Sequence, residues 1–190
     1  MEVLLVRHTS VAVPRGVCYG WSDVPLADSF EQEAAVTKSA IERAGPIDAA
    51  FTSPLTRART LATFCGFPHA VIDTRLKEMN MGDWEMQPFD SIKDKELQEW
   101  YDDYLHKPTK NGESFPMLFA RVAGFLDWLR RQPYGRVAVF AHGGVLVCAG
   151  LYAGLFPPDG CFERLVPYGG IETVTLSADD VRAGAQRLHV

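Results

Sequence analysis

Short apolar runs alternate with amphipathic stretches along most of the chain. Residues 3–6 form four consecutive apolar positions that read as a buried strand starting almost at residue 1. Residues 29–44 carry a helical pattern closed by Gly45-Pro46, a pair that stops helices. Residues 48–53 give a second strand, and Ser53-Pro54 supplies an N-cap and a proline at the first helical position, opening a helix over 54–64. Residues 70–73 make a third strand. Phe115, Leu118, Phe119, Val122, Phe125, Leu126 and Leu129 follow the i, i+3, i+4, i+7 rule for one helix face. Residues 137–141 are a fourth strand, and residues 172–176 alternate as a terminal one.

Apolar strands separated by helices of ten or more residues predict an α/β fold: a three-layer sandwich with a mostly parallel central sheet and helices on both faces. Between 90 and 105 the pattern turns polar, with Leu97, Trp100, Tyr101 and Tyr104 at helical spacing, and a Lys-, Pro- and Gly-bearing stretch follows at 107–112. The expectation is one domain over 1–190 with a small cap-like insertion around 86–113. The aromatic stripe reads first as a packing face, although it could cover a pocket.

Composition narrows the class. The chain has 190 residues, 47% apolar and 23% charged, which excludes disordered and fibrous classes and fits one domain with its own core. Cys18, Cys65, Cys148 and Cys161 show no CxxC spacing, so reduced thiols and a cytoplasmic location are expected. Residues 1–8 lack the basic and apolar regions of a signal peptide. Residues 137–156 carry no Asp, Glu, Lys or Arg, enough to span a bilayer, but His142-Gly143-Gly144 breaks the run, and strand, turn and buried helix fit it better. The net charge of −5 comes without a basic run, so neither nucleic acid nor membrane is an expected partner. An anion would have to be held by a few placed cations.

Ligands of such sheets bind outside the carboxyl ends of the strands. The first strand runs into Arg7-His8-Thr9, the fourth into His142-Gly143-Gly144, and the second leads into a helix whose first turn carries Arg57. Two arginines, two histidines and a helix N-terminus on one rim suit a phosphate, which the arginine fork matches in a bidentate way. A single histidine at a strand end is more often structural, so the joint pattern carries the inference. His69, His106 and His189 belong to no such pattern and read as surface or structural residues.

Four motifs in order, residues 5–9 (LVRHT), 52–58 (TSPLTRA), 78–85 (ExxxGxWE) and 141–144 (AHGG), resemble those of the histidine phosphatase superfamily, also called phosphoglycerate mutase-like. Residues 20–26 (GWSDVPL) look like the loop passing over the substrate phosphate, and 111–114 (NGES) like the entry to the helix after the insertion. The resemblance implies His8 as nucleophile through a phosphohistidine, Glu78 as proton donor and acceptor, and phosphate binding by Arg7, Arg57, His142, Gly143 and Gly20. Thr9, Met86 and Thr60-Leu61 depart from the family pattern, Thr9 and Met86 standing where glycine is usual. The expected partner is a small-molecule phosphate ester, with no cofactor and no metal, because arginines beside both histidines disfavour a cation; a homodimer is a further possibility. Short length favours phosphatase over mutase, and residues 7–26 look most like the alpha-ribazole phosphatases of cobalamin lower-loop synthesis. The alternatives are a broad sugar or glycolytic phosphate phosphatase, a phosphoglycerate mutase-like enzyme, or a non-catalytic phosphate-binding module.

Overall fold

A computed structural model describes residues 1–177, so His189 lies outside the described residues. Five strands, β1 (Glu2–Arg7), β2 (Ala49–Thr52), β3 (Val71–Ile72), β4 (Arg136–Ala141) and β5 (Ile171–Thr175), form one sheet in the order β3-β2-β4-β1-β5. All neighbouring pairs are parallel except β1 with β5.

The pleat sends alternate side chains to opposite faces, and both faces are apolar. Val137, Val139 and Ala141 of β4 pack with Val3, Leu5 and Phe51 against α4 (Phe115–Leu129) and α5 (Gly143–Ala153). Ala138 and Phe140 pack with Val6 against α1 (Phe30–Ala44) and α2 (Thr56–Phe64). The result is a three-layer α/β sandwich. The uncharged run divides into β4 and α5, and no described helix is long and apolar enough to cross a membrane. All four cysteines are free and buried.

Two local expectations are corrected. Helix α2 starts at Thr56 rather than residue 54, and Ser53 does not cap it. The Ser53 hydroxyl is engaged by His142 and by the Leu55 N–H, while Asp23 accepts from the Thr56 N–H at 3.0 Å and its hydroxyl at 2.5 Å. A side chain 33 residues away therefore satisfies the first turn. Strand β3 is only two residues long, shorter than the expected 70–73. Within 86–113 the chain forms a 3₁₀ turn, Phe89–Ser91, and α3 (Lys95–Asp102), whose Leu97 is buried while Phe89 and Trp100 pack against the main core.

Candidate active site

Parallel pairing of β1 with β4, in a register that sets Arg7 opposite Ala141, delivers His8 and His142 side by side at the carboxyl edge of the sheet. Their ring centroids are 5.2 Å apart. The chain leaving β2 carries Arg57 in the first turn of α2 to the same edge. Arg57 and His142 are fully buried and His8 nearly so.

The histidine protons follow from their partners. His8 Nδ1 lies 2.7 Å from the Thr9 carbonyl, which can only accept, so Nδ1 holds the proton and Nε2 keeps its lone pair. Burial, then the Arg57 charge, push the His8 pKa down to about 3, with Arg7 adding in the same direction and the Thr9 bond opposing. Burial and Arg57 likewise hold His142 well below the ordinary histidine range. His142 Nε2 is 2.7 Å from Ser53 Oγ. The Leu55 N–H donates to the same hydroxyl. His142 Nδ1, Arg7 Nε and Arg57 Nε are buried nitrogens without a partner among the described residues. Two guanidinium N–H donors and an imidazole nitrogen at one rim, each costly to desolvate unpaired, suit a bound oxyanion.

Both terminal nitrogens of Arg57 and one of Arg7 are tied to the backbone. Arg57 donates to the carbonyls of Gly20 (2.6 Å) and Ser22 (2.9 Å), and Arg7 to that of Val166 (2.6 Å). Glu85 holds the loop that presents those acceptors to Arg57: it accepts the N–H groups of Gly20, Trp21, Ser22 and Met81 at 2.8–3.1 Å. Burial would raise its pKa, but these bonds outweigh burial and keep the carboxyl below its usual range. Gly20 is thus committed through both backbone groups, its N–H to Glu85 and its carbonyl to Arg57. A Cβ there would lie 1.8 Å from the Met79 carbonyl.

Glu78 accepts from Met79 N–H at 2.9 Å and from Gly144 N–H, in the first turn of α5, at 3.1 Å. Behind it, Arg121 of α4 donates to the carbonyls of Arg75, Lys77 and Glu78 and pairs with Glu113 at 2.8 Å. Arg7, His8, Glu78, Gly143 and Gly144 face a cavity of about 560 Å³. Arg57 and His142, fully buried beside Arg7 and His8 at the strand ends, and Gly20 are not among the residues that line it. His69 and His106 stand away from the site and are exposed.

Several participants carry no clear signal in the sequence. Glu85 lies inside a recognised motif, yet its part in the loop depends on backbone groups more than sixty positions away. Tyr19 and Tyr168 share a 2.8 Å hydroxyl contact, with Arg57 and Arg7 stacked on their respective rings. No motif points to Tyr168. Thr9 is accommodated because its φ is not positive, whereas Met86 has φ 61°, which explains a glycine preference there.

The family description "Histidine phosphatase superfamily (branch 1)" matches residues 3–185. The chain is 31% identical over 158 residues to the "Probable phosphoglycerate mutase GpmB" of Yersinia enterocolitica, an alignment covering 78% of this chain and 72% of that one. Among solved structures, a Thermus thermophilus protein described as a phosphoglycerate mutase is 31% identical, with a TM-score of 0.72 and 92% of each chain covered. A "putative alpha-ribazole-5'-P phosphatase" from Escherichia coli is 25% identical with a TM-score of 0.81, covering 91% of this chain and 89% of that one.

Proposed function

Because the chain belongs to the histidine phosphatase superfamily, we propose that it is a phosphomonoesterase working through a phosphohistidine, with alpha-ribazole 5'-phosphate as its substrate, and that residues 1–190 form one catalytic domain capped by the segment 86–113. The observation that carries the catalytic part is His8: its Nδ1 proton is committed to Thr9, its pKa is about 3, and its free Nε2 belongs to a ring that shares the cavity with Glu78.

Phosphoryl transfer needs positioning and charge stabilisation more than covalent assistance. The phosphoryl oxygens take the unpaired donors of Arg7, Arg57 and His142. His8 Nε2 forms a bond to phosphorus as the ester P–O bond breaks, and the Glu78 carboxyl gives its proton to the departing alcohol oxygen. The Thr9 carbonyl, on Nδ1–H, stabilises the positive charge that develops on the ring. Glu78, now a carboxylate, takes a proton from water as that water attacks phosphorus and the N–P bond breaks. Inorganic phosphate leaves, and both residues return to their starting states. Gly143, at the first turn of α5, faces the cavity where a backbone N–H can reach phosphate.

The alpha-ribazole assignment draws support from the Escherichia coli neighbour and from residues 7–26. A mutase-like or broad glycolytic reading draws its support from the Yersinia and Thermus relatives. A substrate panel separates them. Alpha-ribazole 5'-phosphate should show a specificity constant at least tenfold above those of 3-phosphoglycerate and p-nitrophenyl phosphate; comparable values would reject the assignment. Wild type should retain covalent ³²P after a quench that avoids acid, and His8→Ala should not. Absence of label in wild type at saturating substrate would instead favour a binding module.

A further inference from the structure

We infer that the cavity beside His8 contains a separate subsite for the leaving group, built for a planar, uncharged aromatic ring, and that esters carrying a second anionic group are rejected there. The inference rests on the phosphatase reading of His8 and deepens its substrate side. At about 560 Å³ the cavity lies in the range that accommodates a drug-sized molecule, far more than a phosphoryl group fills.

Away from His8 its wall is aromatic. Phe89 from the 3₁₀ turn, Trp100 from α3, Tyr104 just beyond it, and Phe162 from the 3₁₀ turn Cys161–Arg164 reach the cavity from separate segments. Tyr104 and Phe162 meet edge to face at 5.2 Å, and Trp100 lies 6.2 Å from Tyr104. Such edges and faces provide stacking and T-shaped partners for a further ring. Met79 and Met81 complete the wall with adaptable thioethers.

Charge gives the second half of the inference. Among the described residues, Arg7 is the only Arg or Lys on the cavity wall, and it belongs to the His8 end, with its guanidinium over Tyr168 4.1 Å from the ring centroid. The only carboxylate that the described residues place on the wall is Glu78. A carboxylate or second phosphate on the leaving group would therefore lose its water against aromatic walls without gaining a cation. An uncharged ring meets no such penalty.

Steady-state kinetics with 1-naphthyl phosphate, phenyl phosphate and 3-phosphoglycerate, on wild type, Phe162→Ala and Tyr104→Ala, test this. Expected are a kcat/KM for 1-naphthyl phosphate at least tenfold above phenyl phosphate and a hundredfold above 3-phosphoglycerate. Phe162→Ala should lose about tenfold on the naphthyl ester while inhibition by inorganic phosphate is unchanged, which also reports that the variant is folded. Equal values across the panel, or equal losses on all three esters, overturn the subsite. Calorimetric titration of 1-naphthyl phosphate into His8→Ala separates the two readings. If no ester is turned over but binding is present and weakened by adding Phe162→Ala, the subsite stands and the phosphatase reading falls. If the ester does not bind better than inorganic phosphate, the subsite falls.

Discussion

Glu85 decides where Arg57 points without touching it. Its two oxygens collect four backbone N–H groups, and the loop so fixed turns its Gly20 and Ser22 carbonyls onto the Arg57 guanidinium. Glutamine keeps the shape but replaces one acceptor with a donor that faces N–H groups, and charge-assisted bonds of this type contribute about 1.5–3 kcal/mol each. Glu85→Gln should lower kcat/KM by roughly 10- to 100-fold, mostly by raising KM and the inhibition constant for phosphate. In an Arg57→Ala background the same change should cost little, because the group it positions is gone. Independent, additive losses in that cycle would refute the coupling. Met86 is a different case: a half-exposed side chain held at φ 61°. A left-handed conformation costs a non-glycine residue about 1–2 kcal/mol, so Met86→Gly should raise stability by about 1 kcal/mol once glycine's greater unfolded entropy is subtracted. A urea midpoint that stays put or falls would show that Met86 makes compensating contacts.

Elements differ in how much of themselves they carry in their own sequence. Strands β1 and β4 are continuous apolar runs because both faces of the sheet are covered, and α4 shows its buried stripe because one side of it lies on the core, so all three were legible to within a residue or two. Arg7, His8 and His142 were legible with them, standing where apolar runs end. The start of α2 was not, because its cap, Asp23, comes from a distant loop, and β3 was over-extended because its two residues, 56% and 51% exposed at the sheet edge, give no burial pattern. Trp100 and Tyr104 follow helical spacing whether they pack or face a void, and only tertiary structure distinguishes these. Helix α4 also supports Glu78 through Arg121, whose side chain is 17% exposed and whose guanidinium takes three carbonyls and the Glu113 carboxylate. Removing one partner of a largely buried pair costs about 3–5 kcal/mol. Arg121→Met should cost about 3 kcal/mol in urea unfolding and lower kcat, since the segment that ends in Glu78 loses its anchor. A loss below about 1 kcal/mol would mean that the pair is solvated and the anchor dispensable.

For the whole molecule, keeping two neutral histidines beside two arginines couples the chemistry to stability. His8 and His142 have folded pKa values below the ordinary 6.5, His8 at about 3. Between those limits the unfolded chain binds protons that the folded chain refuses, so acid favours unfolding: stability is complete above about pH 6.5 and declines as pH falls toward 3. Each histidine contributes a slope of up to about 1.4 kcal/mol per pH unit. Carboxylates held below their usual range, Glu85 and Asp73 among them, reinforce the loss nearer pH 4. Above about pH 5 the histidines should dominate, so urea unfolding of wild type should weaken steadily from about pH 7 to 5, and His8→Gln should flatten that slope by about half. His8, as the proposed nucleophile, stays available where stability declines: as long as the protein stays folded, its ring remains unprotonated at about pH 5, and its imidazole resonances should not titrate near 6.5 in an NMR pH series. A titration of the His8 ring at about 6.5 in protein that circular dichroism shows to be folded would mean that His8 behaves like an exposed histidine, and the assignment of Nε2 as a permanently available nucleophile would fail.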